Sequence, residues 1–202
     1  MTSSSLTSLD AAFWDTNYQT QNTGWDLGVV SPPLSSYIDQ LEDKSISILI
    51  PGCGNAYEVE YLLNAGFSNV TVIDISSVLT ERLKEKLQPS VGKELKVLTG
   101  DFFEHTGQYN LIIEQTFLCA LDPELRINYA KKMIALLAPG GKLTGLLFNR
   151  TFEQPGPPFG GDKKEYEALF SSNVRIKKME TCYNSIKPRA GFELFFQIIK
   201  DN

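Results

Sequence analysis

The segment Ile48-Leu49-Ile50-Pro51-Gly52-Cys53-Gly54-Asn55-Ala56 runs an apolar stretch into two closely spaced glycines and then into a helical pattern. Glycines at such a corner allow left-handed backbone angles and let a ligand lie against the main chain. A dinucleotide fingerprint needs a third glycine at position 57 to admit a pyrophosphate, and Tyr57 stands there. The shorter spacing, with Ala56 in the last small-residue place, suits S-adenosylmethionine (SAM), which has no pyrophosphate. A glycine turn without a ligand and a nicotinamide-dependent dehydrogenase are the competing readings of this corner. Asp74 ends the next apolar run, 22 residues beyond Gly52, and with Ile75 beside it marks a place where a carboxylate accepts both hydroxyls of a ribose. A carboxylate at a strand end can equally cap a helix. Asp101 follows Leu98-Thr99-Gly100 on the same edge and is suited to an adenine amino group. Phe102 offers that base its backbone or ring, or else belongs to the core. Gln115, past the fourth apolar run, can bond either end of such a cofactor.

Trp14 and Tyr18 are four residues apart, so on a helix their rings share a face. Ring faces attract a cation such as a sulfonium by about 0.5 to 2 kcal/mol; the same rings would also pin an N-terminal helix to the domain. No convincing nucleophile or general base accompanies them. Cys119 follows Leu118 in an apolar stretch, and His105 sits in the loop after Asp101, where a solvated role is expected. Phe13, Phe117, Leu118, Phe148, Pro158 and Phe159 are the residues expected around a methyl acceptor, with Arg150 available to attract an anion or to pair with a carboxylate. A pocket without a base favours soft acceptors that carry their own charge, such as thiolate, hydrosulfide or halide.

The chain resembles the class I SAM-dependent methyltransferases, and among them the thiopurine methyltransferase family, especially its thiol and halide methyltransferase branch. The likeness rests on the glycine turn together with Phe13-Trp14-Asp15-Thr16-Asn17-Tyr18, Thr23-Gly24-Trp25-Asp26, Glu114-Gln115-Thr116-Phe117-Leu118-Cys119-Ala120-Leu121 and Gly156-Pro157-Pro158-Phe159. It implies SAM as cofactor and an N-terminal cap in which Trp14, Tyr18 and Trp25 close over it. Members commonly carry tryptophan where this chain has Tyr18, and tyrosine where it has Phe159. Thiopurine-like acceptors, or SAM binding without turnover, are the alternatives within this reading.

Elements must bring these scattered residues together. Strands are predicted at 46–51, 69–75, 95–100, 109–114 and 142–148, mostly continuous apolar runs of the kind buried on both faces of a parallel sheet. Helices are predicted between them, including 57–65 capped by Gly66, and one opened by Asp122-Pro123 and stopped by Pro139-Gly140-Gly141. Apolar runs at 174–179 and 192–199 predict a closing antiparallel hairpin, and helical segments near 9–18 and 33–41 predict a cover. The Pro/Gly-dense stretch 154–161 is a loop suited to act as a lid. The expectation is therefore a Rossmann-like α/β domain over residues 1–202: a doubly wound, mostly parallel seven-stranded sheet in 45–202 beneath a helical cover in 1–44.

Composition agrees. Of 202 residues 42% are hydrophobic, and the net charge of −5 opposes recognition of nucleic acid through its phosphates. Three widely spaced cysteines suit free thiols better than disulfides or zinc, and a single histidine argues against a metal site. The absence of a long apolar run or a basic-then-apolar N-terminus predicts a cytoplasmic protein off the membrane. The oligomeric state is open, with a monomer compatible.

Overall fold

Ile48, Leu49 and Ile50 are all buried, Ile48 and Ile50 in one apolar layer and Leu49 in the other. Successive side chains of a strand point to opposite faces, so this unbroken apolar run marks a strand covered on both sides. The computed structural model describes residues 8–170 and 174–202 and sets this strand near the middle of a seven-stranded sheet. The strands are β1 (Ile48–Pro51), β2 (Val70–Asp74), β3 (Leu95–Thr99), β4 (Tyr109–Gln115), β5 (Leu137–Phe148), β6 (Val174–Thr181) and β7 (Glu193–Lys200), in the order β3-β2-β1-β4-β5-β7-β6. β1 to β5 pair in parallel, while β7 is antiparallel to both β5 and β6. This is the predicted Rossmann-like sheet with its C-terminal hairpin.

Six α-helices accompany it among the described residues: α1 (Ala11–Gln19), α2 (Pro32–Ile38), α3 (Tyr57–Asn64), α4 (Ser77–Lys86), α5 (Arg126–Leu136) and α6 (Lys163–Leu169). Val59 and Leu62 of α3, Leu79 and Leu83 of α4, and Leu34 and Ile38 of α2 share one core layer. Tyr129, Met133 and Leu136 of α5 and Tyr166 of α6 share the other. Gly66, at φ +89°, ends α3 as its sequence position predicts. None of the helices among the described residues is long and apolar enough to cross a membrane.

The largest departure from the expected boundaries lies between α5 and β5. The helix opened by Asp122-Pro123 begins as a 3₁₀ turn, becomes α5, and ends at Leu136 rather than at Pro139. Leu137 already pairs with Tyr109, and the Pro-Gly-Gly stretch lies in an irregular part of β5, before the ladder resumes at Leu111 and Lys142. A Cβ on Gly141 would lie 2.8 Å from the carbonyl oxygens of Ala138 and Tyr109, so these glycines serve a bulge as much as a helix stop. His105 is also not a freely solvated loop residue. It is half-buried with Nε2 2.8 Å from the Tyr109 hydroxyl, and burial, then Lys96 and Lys132, hold its pKa below the usual value.

Gly145 of β5 lies opposite Glu114 of β4, and a Cβ there would fall 2.1 Å from the Glu114 carbonyl oxygen and 2.6 Å from its Cβ. Gly145→Ala is expected to lower unfolding free energy in urea by about 1–3 kcal/mol, the usual cost of overpacking. Wild-type stability in that variant would show that the two strands can part without penalty.

Candidate functional site

A doubly wound sheet opens a crevice at the carboxyl ends of its strands where the connections reverse direction, here between β1 and β4. Gly52 follows β1, Asp74 ends β2, Asp101 lies just beyond β3, Gln115 ends β4 and Phe148 ends β5. Because β7 runs antiparallel, its beginning arrives where the others finish: Glu193 pairs with Phe148 and carries Arg189 and Phe192 to the same edge. A cleft of about 1060 Å³ lies there, lined by residues from all of these points and from α1 and the segment after it.

The floor of the cleft is the glycine turn. Gly52, Gly54 and Ala56 all have left-handed backbones, with φ of 56°, 51° and 59°. A Cβ on Gly52 would fall 2.3 Å from the Phe117 ring, so a side chain there would strain the backbone and collide. Ala56 caps α3 without a side-chain hydrogen bond, which leaves the amides of the first turn to other partners. Burial, then the charge of Asp74, hold the Cys53 thiol well above its usual range and therefore neutral.

Asp74 is 8% exposed and accepts a 2.9 Å hydrogen bond from the Ser76 amide at Oδ1. Burial pushes its pKa up to about 6; the Ser76 and Gly54 amides oppose that shift, and the charge of Asp15 adds to it. The Gln115 side-chain oxygen is buried without a hydrogen-bond partner among the described residues, an arrangement that costs free energy until a donor arrives. Thr116 beside it holds φ 57°, a region β-branched residues rarely occupy. Strain of this kind costs about 1–3 kcal/mol and concentrates at binding sites. Asp101 accepts from the Phe103 amide at 2.8 Å, while Ile75 and Phe102 complete this wall.

The roof is the N-terminal cover. Trp25 meets Trp14 edge-on at 5.5 Å and Tyr18 at 5.9 Å, and all three line the cleft. Burial, then Asp74, raise the Tyr18 phenol far above its usual range, so it remains a donor. Polar tethers hold this roof down. Asp15 on α1 accepts from Ser76 Oγ at 2.6 Å, Ser77 Oγ at 3.1 Å and the Val78 amide at 3.1 Å, so it caps α4 from another element. Desolvation opposes charge on Asp15, but the bonds from Ser76, Val78 and Ser77 outweigh it and keep its carboxyl below the usual range. Arg82 donates to the Tyr18 carbonyl at 3.1 Å, Asp26 accepts from Asn55 and Tyr57, and Arg189 donates to the Trp25 carbonyl at 2.9 Å. Asp15, Arg82 and Arg189 were not singled out in the sequence; the antiparallel last strand was the one signal that could have directed attention to Arg189.

At the other end, Phe13, Phe117, Phe148, Arg150, Pro158 and Phe159 line the cleft. Leu118 does not. It is 2% exposed and faces the core, because Glu114 accepts the amides of Phe117 and Leu118 at 2.7 and 3.1 Å and winds this segment into a 3₁₀ turn. The same carboxylate accepts from the Tyr129 hydroxyl at 2.6 Å, and burial pushes its pKa up to about 7. Cys119 lines the cleft; burial, then Glu114, raise its thiol far above the usual range, and it is no nucleophile at neutral pH. His105 is absent from the cleft lining.

Removing the Asp15 cap should release the roof and leave the sheet intact. Asp15→Ala is expected to cost about 1 kcal/mol of stability and to raise amide exchange across α1 well above that of β1. Unchanged protection of α1 would show that the aromatic packing alone holds it.

Comparison with known proteins agrees with this geometry. The family model described as thiopurine S-methyltransferase matches residues 9–195. The chain is 33% identical over 185 residues to the probable thiol methyltransferase 2 of Arabidopsis thaliana, covering 89% of this chain and 81% of that protein. It is 30% identical over 178 residues to a thiopurine S-methyltransferase of Vibrio cholerae, covering 80% and 81%. In fold it resembles the magnesium protoporphyrin IX methyltransferase of Synechocystis, solved with bound S-adenosylhomocysteine, at a TM-score of 0.74, 15% identity, and coverage of 95% and 98%. A glycine turn without a ligand and a dehydrogenase are thereby set aside in favour of a SAM-dependent methyltransferase. The chain, with its cleft beneath an aromatic roof, belongs to the thiopurine S-methyltransferase family.

Proposed function

We propose that this enzyme transfers the methyl group of SAM to a small soft nucleophile: a thiol, hydrosulfide or halide ion. The observation that carries this reading is a methyl-acceptor end lined by rings and prolines, where the carboxylate among the described lining residues, Asp122, accepts the Glu124 amide as the cap of a 3₁₀ turn. Cys119 is neutral, Glu114 is engaged by three hydrogen bonds, and His105 lies elsewhere. Such an end favours a methyl acceptor that arrives already charged or sheds its own proton. The printed names of two relatives, the thiol methyltransferase above and the thiocyanate methyltransferase 1 of Arabidopsis thaliana at 28% identity over 184 residues, support it.

When bound, SAM supplies a methyl on a cationic sulfur for in-line displacement, the carbon–sulfur electron pair leaving with the sulfur as the new bond to carbon forms. On this reading, the backbone at Gly52 and Gly54 and the start of α3 receive the amino-acid end. Asp74 accepts the ribose hydroxyls, Asp101 and Phe102 meet the adenine, and the Gln115 oxygen gains a donor. Trp14, Tyr18 and Trp25 present rings to the sulfonium. Phe13, Phe117, Phe148, Pro158 and Phe159 strip water from the methyl acceptor and align it, and orientation alone can supply roughly 7–11 kcal/mol of the barrier. A second reading, bulkier thiopurine-like acceptors, is favoured by the size of the cleft and the Vibrio relative.

A panel of iodide, thiocyanate, hydrosulfide and bulky aromatic thiols with labelled SAM tests the choice. Methylation of the small anions is expected, and turnover confined to the aromatic thiols would overturn it. Asp74 generates a pH dependence. Its pKa of about 6 in the free protein means that donor binding through an ionised carboxylate must expel a proton below that pH. SAM affinity, followed by tryptophan fluorescence, is therefore expected to be flat above about pH 6.5 and to fall up to about tenfold per unit below pH 6. Asp74→Asn is expected to bind at least about tenfold more weakly at neutral pH and to lose this slope. Wild-type affinity in that variant would remove Asp74 from the donor site.

A further inference from the structure

We propose that Arg150 selects negatively charged methyl acceptors, a specificity role that rests on the small-nucleophile reading above. Arg150 lies two residues past β5, at the root of the Pro/Gly loop, and its carbonyl accepts from the Gly161 amide at 3.1 Å to close that loop. Its guanidinium carbon is 4.8 Å from the Phe152 ring centroid and 4.6 Å from that of Phe192. Phe152 belongs to the loop and Phe192 to the approach to β7, so rings from two separate segments hold a flexible cation in one place. That place is the wall shared by the cleft and a neighbouring cavity of about 460 Å³.

Charge distribution gives this placement its consequence. Arg150 and Arg189 are the cations lining the cleft among the described residues. Arg189 is 9% exposed, pairs with Glu193 at 3.3 Å and bonds the Trp25 carbonyl, so its charge is already compensated. Arg150 has no carboxylate within 4.0 Å among the described residues. The carboxylates lining the cleft mostly belong to the cover and the β1–β3 side: Asp26, Glu58, Asp74 and Asp101. Asp122 is the exception and is occupied in part as the cap of a 3₁₀ turn, accepting from the Glu124 amide at 2.9 Å. The cleft is thus acidic where a cationic donor belongs and holds one uncompensated cation at its lid end. Stacking on rings removes water from the faces of a guanidinium and leaves its edge N–H groups to meet an anion. A cation held against rings in a concave wall also raises the local concentration of anions, in a manner that added salt screens.

The test uses the full chain with Arg150→Gln and Arg150→Lys, iodide and thiocyanate as methyl acceptors, and thiocyanate binding to protein saturated with S-adenosylhomocysteine, read from its infrared nitrile band. Arg150→Gln is expected to raise the KM for both ions, and the thiocyanate Kd, by about fivefold or more, a modest single-charge effect. Its SAM Kd is expected to stay within about twofold of wild type, while Arg150→Lys recovers most of the loss because charge is retained. Sodium sulfate is expected to depress kcat/KM for iodide in wild type and to have a flatter effect in Arg150→Gln. Wild-type KM for both ions in Arg150→Gln would overturn the proposal, as would a parallel rise in the SAM Kd, which would mark a general loop-supporting role. Wild-type enzyme that methylates neither ion overturns the acceptor reading itself, and this proposal with it.

Discussion

The Asp15 carboxylate joins the roof of the site to its floor. It draws three hydrogen bonds from the first residues of α4, while the amide of Ser76, one of those residues, is held by Asp74. A helix start leaves amides without intrahelical partners, and here a side chain from the cover fills that need. Satisfying the end of one helix therefore sets the height of another, and with it the positions of Trp14 and Tyr18 above the glycine turn. Arg82, Asp26 and Arg189 repeat the arrangement around the rim, each spending a polar group on the cover. A few directional bonds thus fix the roof alongside the apolar contacts of Tyr18, Leu34 and Ile38 with the core.

On the proposed reading the reaction joins a cation and an anion. The protein would then admit both, remove water from both, and avoid neutralising either before they meet. Asp74 is buried enough to resist ionisation, yet the Ser76 and Gly54 amides moderate the cost; on the proposed reading its carboxylate gains from hydroxyl donors. Glu114 is kept out of the chemistry by its bonds to Phe117, Leu118 and Tyr129, and instead shapes the wall that carries Phe117. Burial silences Cys53 and Cys119 as nucleophiles. Catalysis on the proposed reading is then alignment and desolvation, with no proton passed to the protein.

The sheet was legible because buried parallel strands write themselves as unbroken apolar runs separated by helical periods, and the acids at 74 and 101 fall directly after such runs. Its carboxyl edge follows from topology, so Gly52, Gly54, Asp74, Asp101 and Gln115 converge there as the order of elements requires. The inward turn of Leu118 is not legible in the sequence, because the apolar stretch after β4 gives no local sign of which side chains the Glu114 carboxylate will turn inward. Pro139-Gly140-Gly141 was read as a full stop, whereas pairing of Leu137 with Tyr109 begins the strand before it. Asp15 lay inside a recognised aromatic block, but its partners are more than sixty residues away, and no periodicity encodes that contact. Arg189 belongs to the same class, since its neighbours Trp25, Phe148 and Glu193 meet only once β7 has reversed direction.

The central claim, that the cleft between the glycine turn and the aromatic roof holds the methyl donor, is tested most directly by diffraction from crystals grown with S-adenosylhomocysteine. The account predicts density for the adenosine along Asp74, Asp101 and Gln115, the amino-acid end against Gly52 and Gly54, and the thioether sulfur beneath Trp14, Tyr18 and Trp25. Density lodged elsewhere on the chain, or in this cleft with the roof lifted away from it, would contradict the account.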